Sequence, residues 1–209
     1  MRRSNGKEET AMVVGIAGGV GSGKSTVLSI LEKEYGAFVC MADQLGHKAM
    51  VHGTDTYRQI IDVFGREILL ESGEIDRNAL ANIVYREDEL LRRLNAIIHP
   101  FVFSEIQRLI RRHATDRLFV LETAILFETG CDKLCDEVWG VLTEDEIRIR
   151  RLMESRGYSR ERAEEIMKKQ ISNYELAKKC DRVIVNDGGR EELEEYIRKC
   201  MENVLEKEG

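Results

Sequence analysis

The stretch Gly18-Gly-Val-Gly-Ser-Gly-Lys-Ser25 fills every fixed position of the pattern G-x-x-x-x-G-K-S/T. An apolar run, Met12–Ala17, precedes it, and an amphipathic segment, Lys24–Tyr35, follows it, as a strand and a helix would. The glycines let the backbone turn tightly and aim several N–H groups at one anion. A helix that begins at the lysine adds its positive N-terminal end. The stretch therefore predicts a loop that binds the phosphates of a nucleotide.

Every residue of the predicted loop is a candidate nucleotide contact: Gly18, Gly19, Val20, Gly21, Ser22, Gly23, Lys24, Ser25 and Thr26. The ammonium of Lys24 is expected to reach the β- and γ-phosphates of ATP, and the hydroxyl of Ser25 to ligate Mg²⁺. The alternative is a glycine-rich turn that matches by accident, with a chance on the order of 1% in a chain of this length. The flanking strand and helix lower that chance, so nucleotide binding is the favoured interpretation.

The composition predicts a soluble protein and argues against nucleic-acid and membrane partners. Of the 209 residues, 43% are apolar, which suffices for a core, and the net charge of −6 differs from the basic balance of nucleic-acid binders. No run of about 18 apolar residues occurs. The first ten residues lack the apolar stretch of a signal peptide, so residues 1–11 are predicted to be a disordered tail and the cytoplasm is the predicted location.

Short apolar runs alternate with longer amphipathic segments along the chain. The runs predict strands at Met12–Ala17, Ala37–Met41, Arg117–Glu122, Glu137–Leu142 and Arg182–Val185. The segments between them predict helices, including a long helical stretch over residues 44–113 that is interrupted by glycines. This alternation predicts a three-layer α/β fold of the P-loop NTPase type, with a parallel five-stranded sheet covered on both faces. Ligands of such sheets bind beyond the carboxyl ends of the strands.

Asp43 follows the second predicted strand and is the candidate for acid–base chemistry. Transfer of a phosphoryl group to a hydroxyl needs a carboxylate that orients the hydroxyl and accepts its proton. Asp43 also directly precedes a helical run, and aspartate is a good N-cap. The residue pattern alone leaves both roles open, and the two roles can coexist.

Further segments match one enzyme family in their order and spacing. Besides the loop they are Ala42-Asp43, Gly73-Glu-Ile-Asp-Arg77 with Leu80, His99-Pro100, Ile125-Leu-Phe-Glu128 with Gly130, Arg151-Leu-Met153, Gln170, and Asp181-Arg-Val-Ile-Val-Asn186. With these segments the chain resembles dephospho-coenzyme A kinase from Val13 to about Gly188. The resemblance implies transfer of the γ-phosphoryl group of ATP to the ribose 3′-hydroxyl of dephospho-CoA, the last step of coenzyme A synthesis.

The resemblance also implies a division of labour along one kinase domain, residues 12–209. The α/β core is expected at about 12–42, 115–143 and 180–209, a helical substrate region at about 43–114, and a helical lid at about 144–179. It favours Asp43 as the catalytic residue, with a further water-mediated contact to magnesium as an option. The family usually carries a second aspartate two positions earlier, where this chain has Met41.

The predicted lid helix carries the arginines Arg148, Arg150, Arg151 and Arg156. Such arginines can close over phosphates and neutralise transition-state charge. The alternative is a solvated basic face paired with nearby glutamates. The resemblance implies a catalytic and nucleotide-binding role for Arg151. It makes Arg156 a shifted substitute for an arginine that the family carries where this chain has Ser155.

Two residues of the helical region are candidates for binding the acceptor. Arg77 can hold a phosphate bidentately, and its alternative is an ordinary surface arginine. His99-Pro100 predicts the start of a helix, with proline at the first helical position and His99 as the cap. The resemblance places His99 near the acceptor, and a purely structural cap is the alternative.

Two further candidates end predicted strands. Glu122 closes the run Leu118-Phe-Val-Leu-Glu122, where a carboxylate can orient a water molecule on magnesium. Asn186 follows the last strand and is placed by the resemblance to contact adenine, with an ordinary turn residue as the alternative.

Two other functions compete with transfer to dephospho-CoA. One is a different small-molecule kinase, for example of the nucleoside-monophosphate type, and the other is an ATPase switch without an acceptor. The predicted ligands are ATP, Mg²⁺ and dephospho-CoA, without nucleic acid or membrane. The predicted assembly is a monomer or a weak homo-oligomer.

Overall fold

A computed structural model describes residues 11–206 of the chain. Most of the predicted tail, residues 1–10, lies outside this described range. Ala11, the last residue of that predicted tail, is buried, and its N–H donates to the carbonyl oxygen of Ala114 at 2.7 Å. The folded part therefore includes Ala11.

The described chain forms two compact units, which divide between Cys40 and Met41 and between Arg111 and Arg112. The strands are β1 (Met12–Ala17), β2 (Phe38–Met41), β3 (Leu118–Glu122), β4 (Glu137–Leu142) and β5 (Arg182–Val185). The first unit adds the helices α1 (Lys24–Tyr35), α6 (Asp145–Arg156), α7 (Arg160–Lys168), α8 (Asn173–Lys179) and α9 (Arg190–Glu206). The second unit contains α2 (Ala42–Ala49), α3 (Asp55–Phe64), α4 (Arg77–Val84) and nearly all of α5 (Asp88–Arg112). Short 3₁₀ helices lie at Arg66–Ile68 and Cys131–Leu134.

The five strands form one sheet in the order β2-β3-β1-β4-β5, and β1 pairs in parallel with both β3 and β4. The α/β fold predicted from the alternating pattern is therefore confirmed. Because β1 is central, its residues are buried almost throughout, which explains its continuous apolar sequence. The register places Ile16 opposite Glu122 of β3, so the carboxyl ends of both strands meet at one edge of the sheet.

Helices α1 and α9 share a hydrophobic core with the sheet. Val27 and Leu31 of α1 pack with Leu193 and Ile197 of α9 and with Trp139 of β4, and all five residues are almost inaccessible to solvent. The i, i+4 spacing of these pairs puts each pair on one helix face. Packing against the sheet therefore fixes the direction in which α1 leaves the glycine loop.

The second unit has its own core, built from Tyr57, Ile60, Phe64, Ile68, Ile75, Leu80 and Leu94. The sequence prediction that a helix begins at His99-Pro100 is wrong, because Pro100 lies inside the 25-residue helix α5. An internal proline removes one N–H donor and costs about 3 kcal/mol. Leu94 and Ile106 are buried on either side of it, so tertiary packing of both halves outweighs the local cost.

None of the helices within residues 11–206 combines the length and the apolar character needed to cross a bilayer.

Candidate active site

The glycine loop joins β1 to α1 and has the backbone shape that its sequence predicted. Gly21 and Gly23 have positive φ angles of 77° and 88°, which residues with a Cβ atom rarely adopt. A Cβ atom on Gly23 would lie 2.1 Å from the side-chain nitrogen Nδ2 of Asn186. Ser25 and Thr26 are exposed in the first turn of α1, where the helix N-terminus favours an anion.

Lys24 lies between the loop and the end of β3. Its Nζ donates to the carbonyl oxygen of Gly18 at 2.8 Å and lies 3.9 Å from Oε1 of Glu122. Glu122 is buried, and β1–β3 pairing holds it at the carboxyl edge of the sheet. The structure thus brings together Lys24 and Glu122, two of the predicted site residues.

The residues near the loop fit a magnesium ion bound mainly through phosphates and water. Ser25 offers an exposed hydroxyl and Glu122 a carboxylate, and both are the hard oxygen ligands that Mg²⁺ prefers. Within residues 11–206 no group of three or more His, Cys, Asp or Glu side chains is arranged to hold a metal. Met41, at the end of β2, carries a soft thioether, which magnesium does not favour.

Asn186 is buried directly behind the loop. Its Nδ2 donates to the carbonyl oxygen of Ser22 at 2.7 Å, and the hydroxyl of Thr143 lies 3.0 Å from the same oxygen. That hydroxyl is also 3.1 Å from the carbonyl oxygen of Asn186, so its one proton is shared between the two acceptors. The Asn186 oxygen further accepts from Nη2 of Arg151 at 3.0 Å. The end of β5 therefore supports the loop from behind, which an ordinary turn residue would not do.

Arg151 is partly buried on α6 and also contacts the loop, with Nη1 3.4 Å from the carbonyl oxygen of Gly21. A cleft of about 250 Å³ opens beside it and is lined by Gly23, Thr26, Arg151, Asn186, Gly188, Gly189, Arg190 and Leu193. Arg151 and Asn186, predicted separately to bind nucleotide, thus line one cleft next to the loop.

The other arginines of α6 differ sharply in their surroundings. Arg156 is exposed in the last turn, and Arg150 is exposed in a surface depression shared with Glu146, Glu154 and Arg160. For Arg150 this position agrees with the solvated-face interpretation. Arg148 is 3% exposed, and its Nε donates to the carbonyl oxygen of Val20 at 2.9 Å.

Arg148 was named only as one of four arginines of the predicted lid helix, and Gln170 only as part of the family resemblance, so their contact with the loop was not predicted. Nη2 of Arg148 donates to Oε1 of Gln170 at 3.0 Å, and the same oxygen accepts the N–H of Val20 at 2.9 Å. The available signal was the spacing of Arg148 and Arg151, because residues three apart share a helix face.

The second unit carries the three remaining candidates. Asp43 is exposed at the second position of α2, and the cap position is occupied by Met41, without a side-chain cap hydrogen bond. The capping interpretation of Asp43 is therefore wrong.

Arg77 is exposed at the first position of α4, where the carboxylate of Asp76 caps the helix. His99 is partly buried in α5, and burial lowers its pKa, so the imidazole is neutral at pH 7.

Comparison with known proteins is consistent with this geometry. The family model of dephospho-CoA kinase matches residues 12–192. The dephospho-CoA kinase of Fusobacterium nucleatum is 38% identical over 193 residues, covering 92% of this chain and 98% of the relative. A crystal structure from Thermus thermophilus has a TM-score of 0.81 at 31% identity and covers 94% of this chain and 98% of that one. The dephospho-CoA kinase structure from Campylobacter jejuni shares the fold, with a TM-score of 0.70 at 24% identity and coverage of 94% and 98%. The chain is thus a P-loop kinase that belongs to the dephospho-CoA kinase family.

Proposed function

We propose that this protein transfers the γ-phosphoryl group of ATP to the 3′-hydroxyl of dephospho-CoA and releases ADP and coenzyme A. The observation that carries the proposal is the phosphate loop itself. Its lysine is held at 2.8 Å by Gly18 and lies 3.9 Å from the buried carboxylate of Glu122. A phosphate-binding lysine beside a carboxylate is the arrangement that phosphoryl transfer from a nucleotide uses.

ATP binding is assigned to the first unit. The loop N–H groups and the start of α1 would hold the phosphates, and Lys24 would neutralise charge on the β- and γ-phosphates. The adenine would occupy the cleft lined by Arg151 and Asn186. Arg156, at the end of α6, would approach the phosphates from solvent. A magnesium ion, held by Ser25 with Glu122 and Asp43 acting through water, would supply further charge neutralisation.

Proton acceptance is assigned to Asp43. The carboxylate would take the proton of the acceptor hydroxyl as its oxygen forms a bond to the γ-phosphorus, while the bond from that phosphorus to the leaving ADP oxygen breaks. Support comes from its exposed side chain and its place two residues after β2, because ligands of parallel sheets bind beyond the carboxyl ends of strands. Arg77 and His99 are assigned to binding the acceptor, and the neutral imidazole of His99 would act as a hydrogen-bonding group.

The proposal is tested by measuring the release of ADP from ATP in the presence of Mg²⁺, with and without dephospho-CoA. Mass spectrometry of the product then shows whether one phosphate has been added. Acceptor-dependent ADP with phosphorylated product is the expected result. Equal ADP release without acceptor would instead identify an ATPase switch. Transfer only to other acceptors, such as nucleoside monophosphates, would identify a different kinase.

The Lys24→Ala variant provides the matching control, because removal of the phosphate-binding ammonium should abolish nearly all transfer while the fold survives. Retained turnover in that variant would show that the loop is not the site from which the phosphoryl group is transferred. The cytoplasmic location and the monomeric or weakly oligomeric state stay predictions.

A further inference from the structure

Val20, near the tip of the phosphate loop, is held from three directions by the segment that contains α6 and α7. Its carbonyl oxygen accepts from Arg148 Nε, and its N–H donates to Gln170 Oε1, both at 2.9 Å. Its side chain packs against a small cluster formed by Ile149, Leu152 and Ala163. Both backbone polar groups and the side chain of one loop residue are thereby engaged by residues 128 to 150 positions away in sequence.

The guanidinium of Arg148 is buried within this contact. Its side chain is 4% exposed, and Nη1 lies 3.3 Å from the exposed carboxylate of Asp145. A Cβ atom on Gly19 would lie 2.2 Å from Nη2, so the cation rests directly against the loop backbone. Arginine stays protonated in proteins, so this site carries a permanent positive charge. In a chain of net charge −6, that charge lies against the loop that is proposed to bind phosphates.

The loop needs such support because its sequence resists ordering. Val20 stands between Gly19 and Gly21, and glycine loses more conformational entropy on ordering than any other residue. A loop that is already fixed loses less entropy when it binds phosphates, and its affinity rises accordingly. Gln170 connects the loop to Arg148, because its Oε1 accepts hydrogen bonds both from the N–H of Val20 and from the guanidinium of Arg148.

We infer that Arg148 is a positioning residue for phosphoryl transfer: with Gln170 it fixes Val20, and so holds the phosphate loop in the shape that binds polyphosphate. This inference deepens the proposed function and rests on the loop being the ATP phosphate site. It does not require dephospho-CoA to be the acceptor.

The test is calorimetric binding of ADP and of adenosine, each with Mg²⁺, to the full chain. Arg148→Met should weaken ADP binding at least tenfold and leave adenosine binding within twofold, because adenosine lacks the phosphates that the loop holds. Arg148→Lys keeps the charge without the forked donors and should recover part of the loss. Arg150→Met removes an exposed arginine from the same helix and should bind both ligands like the unmodified chain.

Equal ADP affinity in folded Arg148→Met and Arg150→Met would overturn the inference, and so would parallel losses for ADP and adenosine. If Arg148→Met does not fold, Gln170→Met decides the matter, since it removes only the shared acceptor. It should weaken ADP binding about threefold, and ADP binding as tight as in the unmodified chain, or tighter, would refute the inference. Because binding is measured without acceptor, these outcomes are independent of whether dephospho-CoA is phosphorylated.

Discussion

Asn186 Nδ2 donates to the carbonyl oxygen of Ser22 at 2.7 Å, joining the end of β5 to the phosphate loop across 164 residues of sequence. Both residues are buried, so solvent does not replace this hydrogen bond when it is removed. The last strand of the sheet therefore contributes directly to the shape of the loop that follows the first.

Asn186→Ala should lower both stability and ATP affinity. Loss of the buried donor should reduce the free energy of unfolding by about 1–2 kcal/mol, because Ser22 keeps its second partner, Thr143. A loosened loop and a changed cleft should raise the KM for ATP by about tenfold. Urea denaturation and initial rates at varied ATP check both effects. The exposed Asn82→Ala is the control, and an unchanged KM in Asn186→Ala would argue against a nucleotide role.

Asp43→Asn should keep ATP affinity and slow transfer by about a hundredfold or more, which is the usual contribution of a positioned proton acceptor. The amide preserves shape but cannot take the proton. Single-turnover transfer and separate ATP binding measure the two effects, with the exposed Asp62→Asn on α3 as the matched control. Near-normal transfer would require another residue to be the acceptor of the proton.

Arg182→Met should destabilise the first unit by about 3 kcal/mol, because it leaves the buried carboxylate of Glu137 without its partly exposed cationic partner. Glu137 is 6% exposed, and its carboxylate accepts from Arg182 at 2.6 and 2.9 Å and from the indole of Trp139 at 2.9 Å. Adding Glu137→Gln should recover part of the loss, since the buried charge then disappears. Denaturation midpoints of the single and double variants test this, and a single variant as stable as the double would contradict it.

Cys135 should resist alkylation in the folded protein. Burial raises the pKa of its thiol to about 12, and burial likewise raises that of Cys180 to about 11. At pH 8 a thiol of pKa 12 is ionised in only about one molecule in ten thousand, and the thiolate is the reactive form. Mass spectrometry after iodoacetamide treatment should show modification of Cys135 only when urea is present. Rapid labelling of the folded chain would refute the prediction.

The same thiols should make stability fall at alkaline pH. The thiol of the unfolded chain ionises near pH 8.5–9, whereas the thiol of the folded chain keeps its proton. Above that pH the folded state therefore binds more protons than the unfolded state, and stability falls as the pH rises. Their stabilising contribution is therefore complete below about pH 8.5 and is lost progressively towards the folded pKa of about 12 for Cys135. Denaturation midpoints from pH 8 to 10.5 should decline less steeply in Cys135→Ala than in the unmodified chain. An equal slope in both would contradict this assignment.

The sequence predicted most of the fold because parallel, doubly covered strands are continuous apolar runs. Strands β1, β4 and β5 have the predicted bounds, and β2 and β3 begin one residue later than predicted. The phosphate loop was readable because its residues are contiguous and each has a defined chemical role. The contacts of Arg148 and Gln170 with Val20 could not be predicted from the sequence, because residues more than a hundred positions apart meet only after the chain has folded. Pro100 misled the prediction because local preference was weighed without the packing on either side of it.

The central place of β1 in the sheet has a consequence for synthesis of the chain. Its neighbours, β3 and β4, begin only at Leu118 and Glu137. A ribosome that adds 5–20 residues per second needs on the order of ten seconds to make them after β1 has been made. During that time an apolar strand has neither of its pairing partners, and its exposed edges can pair with other chains. We therefore expect nascent chains that stop before Leu118 to aggregate or to be degraded, because the strand that leads into the phosphate loop has no neighbour until β3 has been made.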